Sequence, residues 1–242
     1  MLSMLLDFLY PPTCFHCGKA VPKQGMWCYT CFNDVLNIRK VTEDFLDQLH
    51  TVWILADYTG GIKSMMYDVK FNAKKEHAHG AAPFLVSFNS YLAAGELDPH
   101  YVIPIPVSKE RKEKRGYNQV ELFFYDWVNE RYKTAQSIEK NIGPTNLGGG
   151  STEKWMWLDC LYKLSSEEDM WHLSGNARRK QVENLFFMNQ DYRQETNLLK
   201  GKDILLVDDV YTTGATLEAA ASCLQRMKPK TIKALTLGSG SF

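Results

Sequence analysis

The sequence predicts an α/β protein whose mostly parallel sheet is flanked by helices and preceded by a small cysteine-rich lobe. Short runs of branched apolar residues, typical of buried strands, alternate with segments in which apolar residues recur at helical spacing. Four of the six cysteines fall within residues 14–31, before most of the predicted strands. These observations divide the 242 residues into a lobe over residues 1–40 and an α/β domain over residues 41–242.

Composition and charge exclude several classes of protein. Lys and Arg together number 28, as do Asp and Glu, so the net charge of zero gives no overall attraction to nucleic acid or membranes. No apolar run approaches the length of a membrane span, and the apolar start over residues 1–10 lacks the basic residues of a signal peptide. We therefore expect a cytoplasmic protein with no membrane insertion and a short packing helix at its start.

The clustered cysteines form two Cys-x-x-Cys pairs, Cys14 with Cys17 and Cys28 with Cys31. Cytoplasmic cysteines stay reduced, and four thiolates at this spacing supply the tetrahedral shell of a structural Zn²⁺. Because a lobe this small cannot build its own core, the metal would hold it together. A redox-active pair and a chance clustering of cysteines are the alternatives.

The next elements follow from apolar spacing. A helix is predicted over residues 41–49 and a strand over residues 51–56, with helices over residues 62–71 and 78–92 after two glycines. Lys70 lies near the end of the helix predicted over residues 62–71. It is expected either to satisfy terminal carbonyl groups or to face a phosphate.

A second strand–loop–helix unit carries a dense run of cations. Its apolar strand over residues 101–106 ends at two prolines, and the helical period returns at Val120. The predicted loop between them contains Lys109, Arg111, Lys112, Lys114 and Arg115. Loops that follow parallel strands lie at one edge of the sheet, where a polyanion such as pyrophosphate could bind. A solvated charge run is the alternative.

A polar segment over residues 133–154 has no apolar period and contains several glycines, so we predict a flexible surface loop. A buried strand is then expected over residues 155–161 and a last strand over residues 232–237. Cys160 and Cys223 lie in apolar surroundings and are expected in the core.

The most informative stretch covers residues 204–216. Its apolar start predicts a strand buried on both faces, and Asp208 and Asp209 stand at the end of that strand. A small hydroxyl-rich loop follows, and apolar residues then recur at helical spacing from Leu217. The loop should therefore lie at the carboxyl edge of the sheet and at a helix N-terminus, where free backbone amides favour a phosphate.

The side chains of this loop suit a phosphorylated sugar. Gly214 lets the backbone approach a phosphate closely, while the hydroxyl groups of Thr212, Thr213 and Thr216 add donors. Asp208 and Asp209 are acceptors for a pair of vicinal hydroxyls or ligands for Mg²⁺. A sugar phosphate with a cis-diol satisfies the whole arrangement. An acidic strand end that precedes a helix without any ligand is the alternative.

The stretch Val-Asp-Asp-Val-Tyr-Thr-Thr-Gly-Ala-Thr over residues 207–216 resembles the phosphoribosyl pyrophosphate (PRPP) signature of type I phosphoribosyltransferases. This resemblance implies a type I phosphoribosyltransferase-like fold and Mg²⁺ bound together with PRPP. It implies that the two acids hold the ribose hydroxyls and that the loop holds the 5′-phosphate. The residues assigned to PRPP are then Asp208, Asp209, Tyr211, Thr212, Thr213, Gly214, Ala215 and Thr216, with Arg115 from the basic segment.

The order of motifs over nearly the whole chain resembles the ComF family (ComFC, also called GntX-like), whose members are associated with natural competence. The motifs are the four-cysteine lobe, Pro-Ile-Pro followed by Arg-Gly-Tyr-Asn-Gln over residues 115–119, and the PRPP signature. Residues 173–186 resemble the loop that closes over the reacting centre of a phosphoribosyltransferase. This implies that Arg178 and Arg179, beside Lys180, offset charge on departing pyrophosphate. A basic helix surface is the alternative.

Two functions remain open from the sequence. The first is a PRPP-binding phosphoribosyltransferase whose acceptor brings its own nucleophile, since no obvious nucleophile or general base appears in the chain. The second is a non-catalytic adaptor in DNA uptake, binding single-stranded DNA and the ComFA helicase and DprA that the resemblance suggests. The fold by itself does not decide between an enzyme and an adaptor.

Overall fold

The computed structural model describes residues 11–23, 26–41, 46–142, 155–164, 185–193, 195 and 197–240. The helices within these ranges are α1 Tyr29–Val35, α2 Gly60–Phe71, α3 Ala82–Tyr91, α4 Lys109–Arg115, α5 Gln119–Ile142, α6 Gln190–Arg193 and α7 Ala215–Gln225. The strands are β1 Leu36–Lys40, β2 Thr51–Asp57, β3 Tyr101–Pro104, β4 Met156–Trp157, β5 Leu161–Lys163, β6 Phe186–Met188, β7 Asp203–Tyr211 and β8 Thr231–Ser239. A 3₁₀ helix spans Lys75–Ala81.

Six strands of the described ranges form one mixed sheet in the order β1-β2-β8-β7-β3-β4. Only the β1–β2 pair is antiparallel in this sheet, while β5 and β6 form a separate antiparallel pair. The predicted α/β fold with a largely parallel sheet is therefore confirmed. β1 lies inside the range predicted for the lobe yet pairs with β2, and the division of the chain at residue 40 stays a prediction.

Alternate residues of β7 face two separate hydrophobic cores. Leu205 and Val207 pack in a core that includes buried residues of α2, α3, α5 and the cysteine lobe. Ile204 and Leu206 pack in a second core with α7, β5 and β6. Because successive side chains of a strand point to opposite faces, the next two residues, Asp208 and Asp209, point towards different layers of the protein.

The basic segment over residues 109–115 is the helix α4, so the prediction of a loop there is wrong. Lys, Arg and Glu are good helix formers, and Gly116 ends the helix in the left-handed conformation, with φ of +81°. The glutamates interrupt the run of cations and reduce the repulsion along the helix. The cations keep the position at the sheet edge that the sequence predicts, but a rigid element carries them.

Three other predictions change. Helix α5 continues to Ile142, so the predicted loop over residues 133–154 is wrong for residues 133–142; residues 143–154 lie outside the described ranges. The strand predicted over residues 155–161 is divided between β4 and β5, in two different sheets. A helix was predicted over residues 41–49, but residue 41 and residues 46–49 are not helical. Residues 42–45 lie outside the described ranges.

Cys160 and Cys223 are buried in the second core, as predicted. The packing helix predicted over residues 1–10 lies outside the described ranges. In the parts of the chain that are described, no helix combines the length and the apolar character needed to cross a membrane.

Candidate functional site

The end of β7 and the start of α7 form a strand–loop–helix turn with little room for side chains. Gly214 adopts a φ of +79°, and a Cβ atom there would lie 2.8 Å from the hydroxyl oxygen of Tyr211. Both the backbone conformation and the space therefore require glycine. Gly214 occupies the N-cap of α7 and offers no capping side chain to the amides of the first turn. Amides of this kind are suited to bind an anion.

Asp209 is buried on the side of β7 that faces α2 and α5. Its Oδ2 lies 3.0 Å from Lys70 Nζ and accepts a 2.6 Å hydrogen bond from Gln119 Nε2. Arg115 Nη1 donates in turn to Gln119 Oε1. A buried carboxylate requires such partners because desolvation penalises its charge. Asp209 thus holds Lys70 at the end of the strand by direct contact. It holds Arg115 there through the side-chain amide of Gln119.

Asp208 lies on the other side of β7 and is only partly buried. Its Oδ1 accepts a 2.8 Å hydrogen bond from the backbone N–H of Asp209. Desolvation and the charge of Asp209 together raise the pKa of Asp208 to about 8, although Lys70 and Lys163 act in the opposite direction. A hydroxyl donor or a cation that enters beside Asp208 would favour its ionised form.

A cleft of about 910 Å³ opens beside these acids, a volume typical of sites for small ligands. Its described lining includes the carboxylates of Asp208, Asp209 and Glu110 and the five cations Lys70, Arg111, Lys114, Arg115 and Lys163. Burial lowers the pKa of Lys163, while the charge of Asp208 raises it. Acids surrounded by an excess of cations suit a ligand that carries both hydroxyl and phosphate groups.

The Arg-Gly-Tyr-Asn-Gln segment over residues 115–119 connects α4 to α5 at the end of β3. Asn118 Nδ2 donates a 3.0 Å hydrogen bond to the carbonyl oxygen of Ile105, just beyond the strand. Its Oδ1 accepts a 3.0 Å hydrogen bond from the backbone N–H of Val120, in the first turn of α5. These two bonds fix the start of α5 against the sheet edge, which places Gln119 within reach of Asp209.

The C-terminal end of α2 forms one wall of the cleft. Phe71 and Ala73 line this wall, and Ala73 has a φ of +54°, which residues with a Cβ atom rarely adopt. Phe71 is 66% exposed, and its ring lies 4.9 Å from the ring of Tyr67, which is 54% exposed. The guanidinium group of Arg115 lies 5.9 Å from the Phe71 ring. Exposed aromatic rings therefore stand beside the cations of the cleft.

The four cysteines of the lobe converge on one point. The Sγ atoms of Cys14, Cys17, Cys28 and Cys31 all lie within 4.8 Å of one another. Burial raises the pKa of the Cys14 thiol, but hydrogen bonds from the backbones of Cys17, Cys28 and His16 outweigh burial and lower it to about 6. A thiol with a low pKa is readily available as a thiolate ligand. Four thiolates close the tetrahedral shell of Zn²⁺, which leaves no open position for catalysis.

The structure brings four of the residues predicted to bind PRPP to the cleft, namely Asp208, Asp209, Thr216 and Arg115. On the adjoining turn, Thr212, Thr213 and Ala215 are exposed, whereas Tyr211 and Gly214 are buried. Arg178 and Arg179, with Lys180, lie outside the described residues. The roles of all these residues in ligand binding stay predictions.

Two family models match this chain, a double zinc ribbon domain over residues 5–42 and a phosphoribosyl transferase domain over residues 171–240. Competence protein ComFC of Bacillus subtilis is 29% identical over 182 residues, which are 74% of this chain and 60% of ComFC. Competence protein F of Haemophilus influenzae is 22% identical over 223 residues, which are 89% of this chain and 80% of that protein. The chain is a homologue of the ComF/ComFC proteins.

Another relative of this ComF homologue has a name that refers to DNA. The DNA utilization protein YhgH of Salmonella typhimurium is 22% identical over 187 residues, which are 74% of this chain and 67% of YhgH. The double zinc ribbon match and the converging thiols together support a structural zinc ion in the lobe.

The sequence did not predict a role in the cleft for Phe71, Lys163 or Gln119. The only indication in the sequence of a role for Phe71 is its position outside the apolar stripe of α2, because a large aromatic residue on a polar helix face is unusual. For Lys163, the only indication in the sequence is that a cation follows an apolar run. Gln119 belongs to a noted motif, but its bond to Asp209 spans 90 residues and has no local signal.

Proposed function

We propose that the cleft binds Mg²⁺–PRPP and that the chain transfers the phosphoribosyl group to an acceptor. The observation that carries this proposal is the meeting of two acids and five cations in a single cleft, beside a helix N-terminus whose N-cap residue has no side chain. The match to a phosphoribosyl transferase domain over residues 171–240 supports it.

Each part of PRPP has a complementary group in the cleft. The 5′-phosphate would bind at residues 212–216, where the Gly214 turn and the first amides of α7 favour an anion. The ribose hydroxyls would donate to Asp208 and Asp209. The pyrophosphate would extend towards Arg111 and Lys114 of α4 and towards Lys163 on the other side of the cleft.

The carboxylates also suit the metal that accompanies PRPP. Oxygen ligands are those that Mg²⁺ prefers, and Asp208 and Asp209 are the described residues that would hold it. When bound, the ion would neutralise part of the charge on the diphosphate.

Transfer requires little chemistry from the protein itself. A bond would form between the nucleophilic atom of the acceptor and ribose C1 as the C1–O bond to pyrophosphate breaks. Pyrophosphate would leave with the electron pair of that bond, and Arg111, Lys114 and Lys163 would offset the charge that develops on it. Catalysis would therefore rest on positioning and electrostatic stabilisation.

Isothermal titration of the protein with PRPP in the presence of Mg²⁺ tests the site. Asp208→Asn combined with Asp209→Asn should weaken binding about 100-fold or more, because hydrogen bonds to charged groups contribute about 1.5–3 kcal/mol each. Asp126→Asn, at an exposed position of α5, is the matched control and should bind as the wild type does. Equal PRPP affinity in the double variant, with an unchanged thermal transition, would contradict the assignment.

A second candidate function is the binding of single-stranded DNA, and the basic helix α4 favours it. Five of its seven residues are cations, and none of its residues is buried. Phe71 and Tyr67 add exposed rings close to Arg115, and stacking on aromatic side chains is how many proteins hold unpaired bases. The protein partners implied by the resemblance, a ComFA-type helicase and DprA, are further proposals within this function.

The salt dependence of oligonucleotide binding tests the second candidate. Lys109 and Lys112 are exposed but do not line the cleft, so Lys109→Gln with Lys112→Gln should reduce the slope of log affinity against log salt by about 0.7 per lost phosphate contact. The control, Lys200→Gln with Lys228→Gln, changes the opposite edge of the sheet and should leave the slope unchanged. An unaltered slope in the α4 variant would exclude this helix from DNA binding.

A further inference from the structure

Helix α2 contacts both the cysteine lobe and the cleft. Its 12 residues extend about 18 Å, at about 1.5 Å per residue. Gly60 and Gly61 at its start lie against the lobe, while Lys70 and Phe71 at its end line the cleft. A displacement of the lobe would therefore shift α2 and, with it, the residues that line the cleft.

The contact between the lobe and the start of α2 leaves no space. A Cβ atom at Gly61 would lie 2.6 Å from Trp27 Cζ3 and 2.9 Å from His16 Cβ. Trp27 Nε1 also donates a buried 2.9 Å hydrogen bond to the carbonyl oxygen of Gly80, in the 3₁₀ helix. His16 stands between Cys14 and Cys17, and Trp27 immediately precedes Cys28. The residues that pack on α2 are thus neighbours of the predicted metal ligands.

A second set of contacts leads from the lobe to the cleft-facing end of α2. The ring of Phe15 lies 4.9 Å from the ring of His77, whose Nδ1 is 3.0 Å from Asp68 Oδ2. Asp68 also accepts hydrogen bonds from Asn72 Nδ2, at 2.6 Å, and from Lys74 Nζ, at 3.2 Å.

The turn held by Asp68 is part of the cleft. The backbone N–H groups of Asn72 and Lys74 donate to the carbonyl oxygen of Asp68, at 3.0 and 3.3 Å. Between them, Ala73 adopts its unfavourable positive φ and lines the cleft. Strained backbone persists only where surrounding contacts fix it, and here those contacts lead back to the lobe.

We propose that metal binding in the lobe positions the cleft-facing end of α2, so that zinc and the ligand of the cleft each raise the affinity of the other. Zinc fixes the knuckles that carry Phe15, His16 and Trp27. These residues hold α2 and the turn over residues 72–74, which place Lys70 against Asp209. The expectation that PRPP is the ligand of the cleft rests on the proposed function above.

Reciprocity provides the first test, because two coupled sites must change each other's affinity by the same factor. The dissociation constant for zinc, measured at equilibrium by competition with a chromogenic chelator, should fall about 5- to 150-fold in saturating Mg²⁺–PRPP, the usual range of such coupling. Mg²⁺ without PRPP is the control. A zinc affinity that PRPP does not change would overturn the proposal.

Gly61→Ala provides the second test, since it changes the contact without altering a cysteine or a side chain of the cleft. Alanine favours a helix more than glycine does, so α2 itself should not be weakened. The variant should retain its zinc yet bind PRPP at least fivefold more weakly. Tyr29→Ala, in the lobe but 83% exposed, is the matched control and should retain wild-type affinity for PRPP.

Two further measurements keep these outcomes distinct. If Gly61→Ala does not fold, Trp27→Phe removes the hydrogen bond to Gly80 and should weaken PRPP binding in the same direction. If the wild type does not bind PRPP, the proposed function fails, and amide hydrogen exchange then tests the coupling alone. Removal of zinc should accelerate exchange over residues 70–75 and leave residues 204–208 unchanged; unaltered exchange over residues 70–75 would overturn the coupling.

Discussion

Asp203 connects three parallel strands at the edge of the sheet opposite the cleft. It begins β7, and its Oδ1 accepts a 2.6 Å hydrogen bond from Thr231 Oγ1 at the start of β8. Lys230 Nζ lies 3.3 Å from Oδ2, and the backbone N–H of His100, just before β3, donates to the carbonyl oxygen of Asp203. Burial alone would raise the pKa of Asp203, but the bonds from Thr231 and Lys230 lower it below its ordinary value.

This lowered pKa predicts how one residue contributes to stability at different pH. A carboxyl group with a depressed pKa in the folded protein stabilises it above the unfolded pKa, near 3.9, and loses that contribution as pH falls through the folded pKa. Asp203→Asn should therefore reduce the free energy of unfolding by about 1 kcal/mol at pH 7. Urea denaturation should show the difference from wild type narrowing progressively below about pH 4.

Asp126→Asn serves as the control for this measurement, because Asp126 is exposed on α5. Asp126→Asn should change the free energy of unfolding by less than about 0.5 kcal/mol both at pH 7 and below about pH 4. A difference between wild type and Asp203→Asn that stays constant down to pH 2 would show that the carboxylate charge of Asp203 is not responsible.

At the scale of elements, the cysteine lobe and helix α4 depend on different forces. Helix α4 forms from good helix formers between Ser108 and Gly116, and its cations project from a short rigid element. The lobe has turns and bridges but few buried apolar residues of its own, so four converging thiols must organise it. The lobe lies at the start of α2, whereas α4 lines the cleft at the other end of that helix.

The dependence of the lobe on metal gives a prediction for that element. Cys14→Ser should lose the zinc ion and unfold the lobe, since structural zinc contributes about 10–16 kcal/mol in isolated finger peptides. Zinc content by atomic absorption and the environment of Trp27 by fluorescence should both change. Cys223→Ala, which alters a buried thiol outside the lobe, should retain zinc. A wild-type zinc content in Cys14→Ser would exclude the four-sulfur site.

At the scale of the whole molecule, the cleft lies where the two hydrophobic cores meet at the carboxyl edge of the sheet. Asp209 faces the layer that contains α2 and α5, and Asp208 faces the layer that contains β5, so cations reach the cleft from both sides. The net charge of the chain is zero, yet five cations and three carboxylates line this one region. Local placement, and not overall charge, therefore makes the cleft attractive to a phosphorylated ligand.

The sequence by itself determined the features whose signal is local. Two Cys-x-x-Cys pairs indicated the metal site, because two residues between ligands suit a single turn of backbone around a metal. The apolar run, the acid pair and the Thr-Thr-Gly loop predicted the β7–α7 turn, because strand period, helical period and the need for glycine are all properties of adjacent residues. The largely parallel sheet followed from the alternation of these elements.

Only the tertiary structure decided which groups meet at the cleft. Lys70, Gln119 and Lys163 come from three elements separated by tens of residues, and the order of strands in the sheet brings them to the two acids. The loop predicted from the sequence over residues 109–115 is wrong, because charge alone does not distinguish a solvated loop from a short helix with suitable ends. Periodicity and propensity reflect interactions between neighbours in the chain, whereas the partners of Asp209 depend on packing between distant segments.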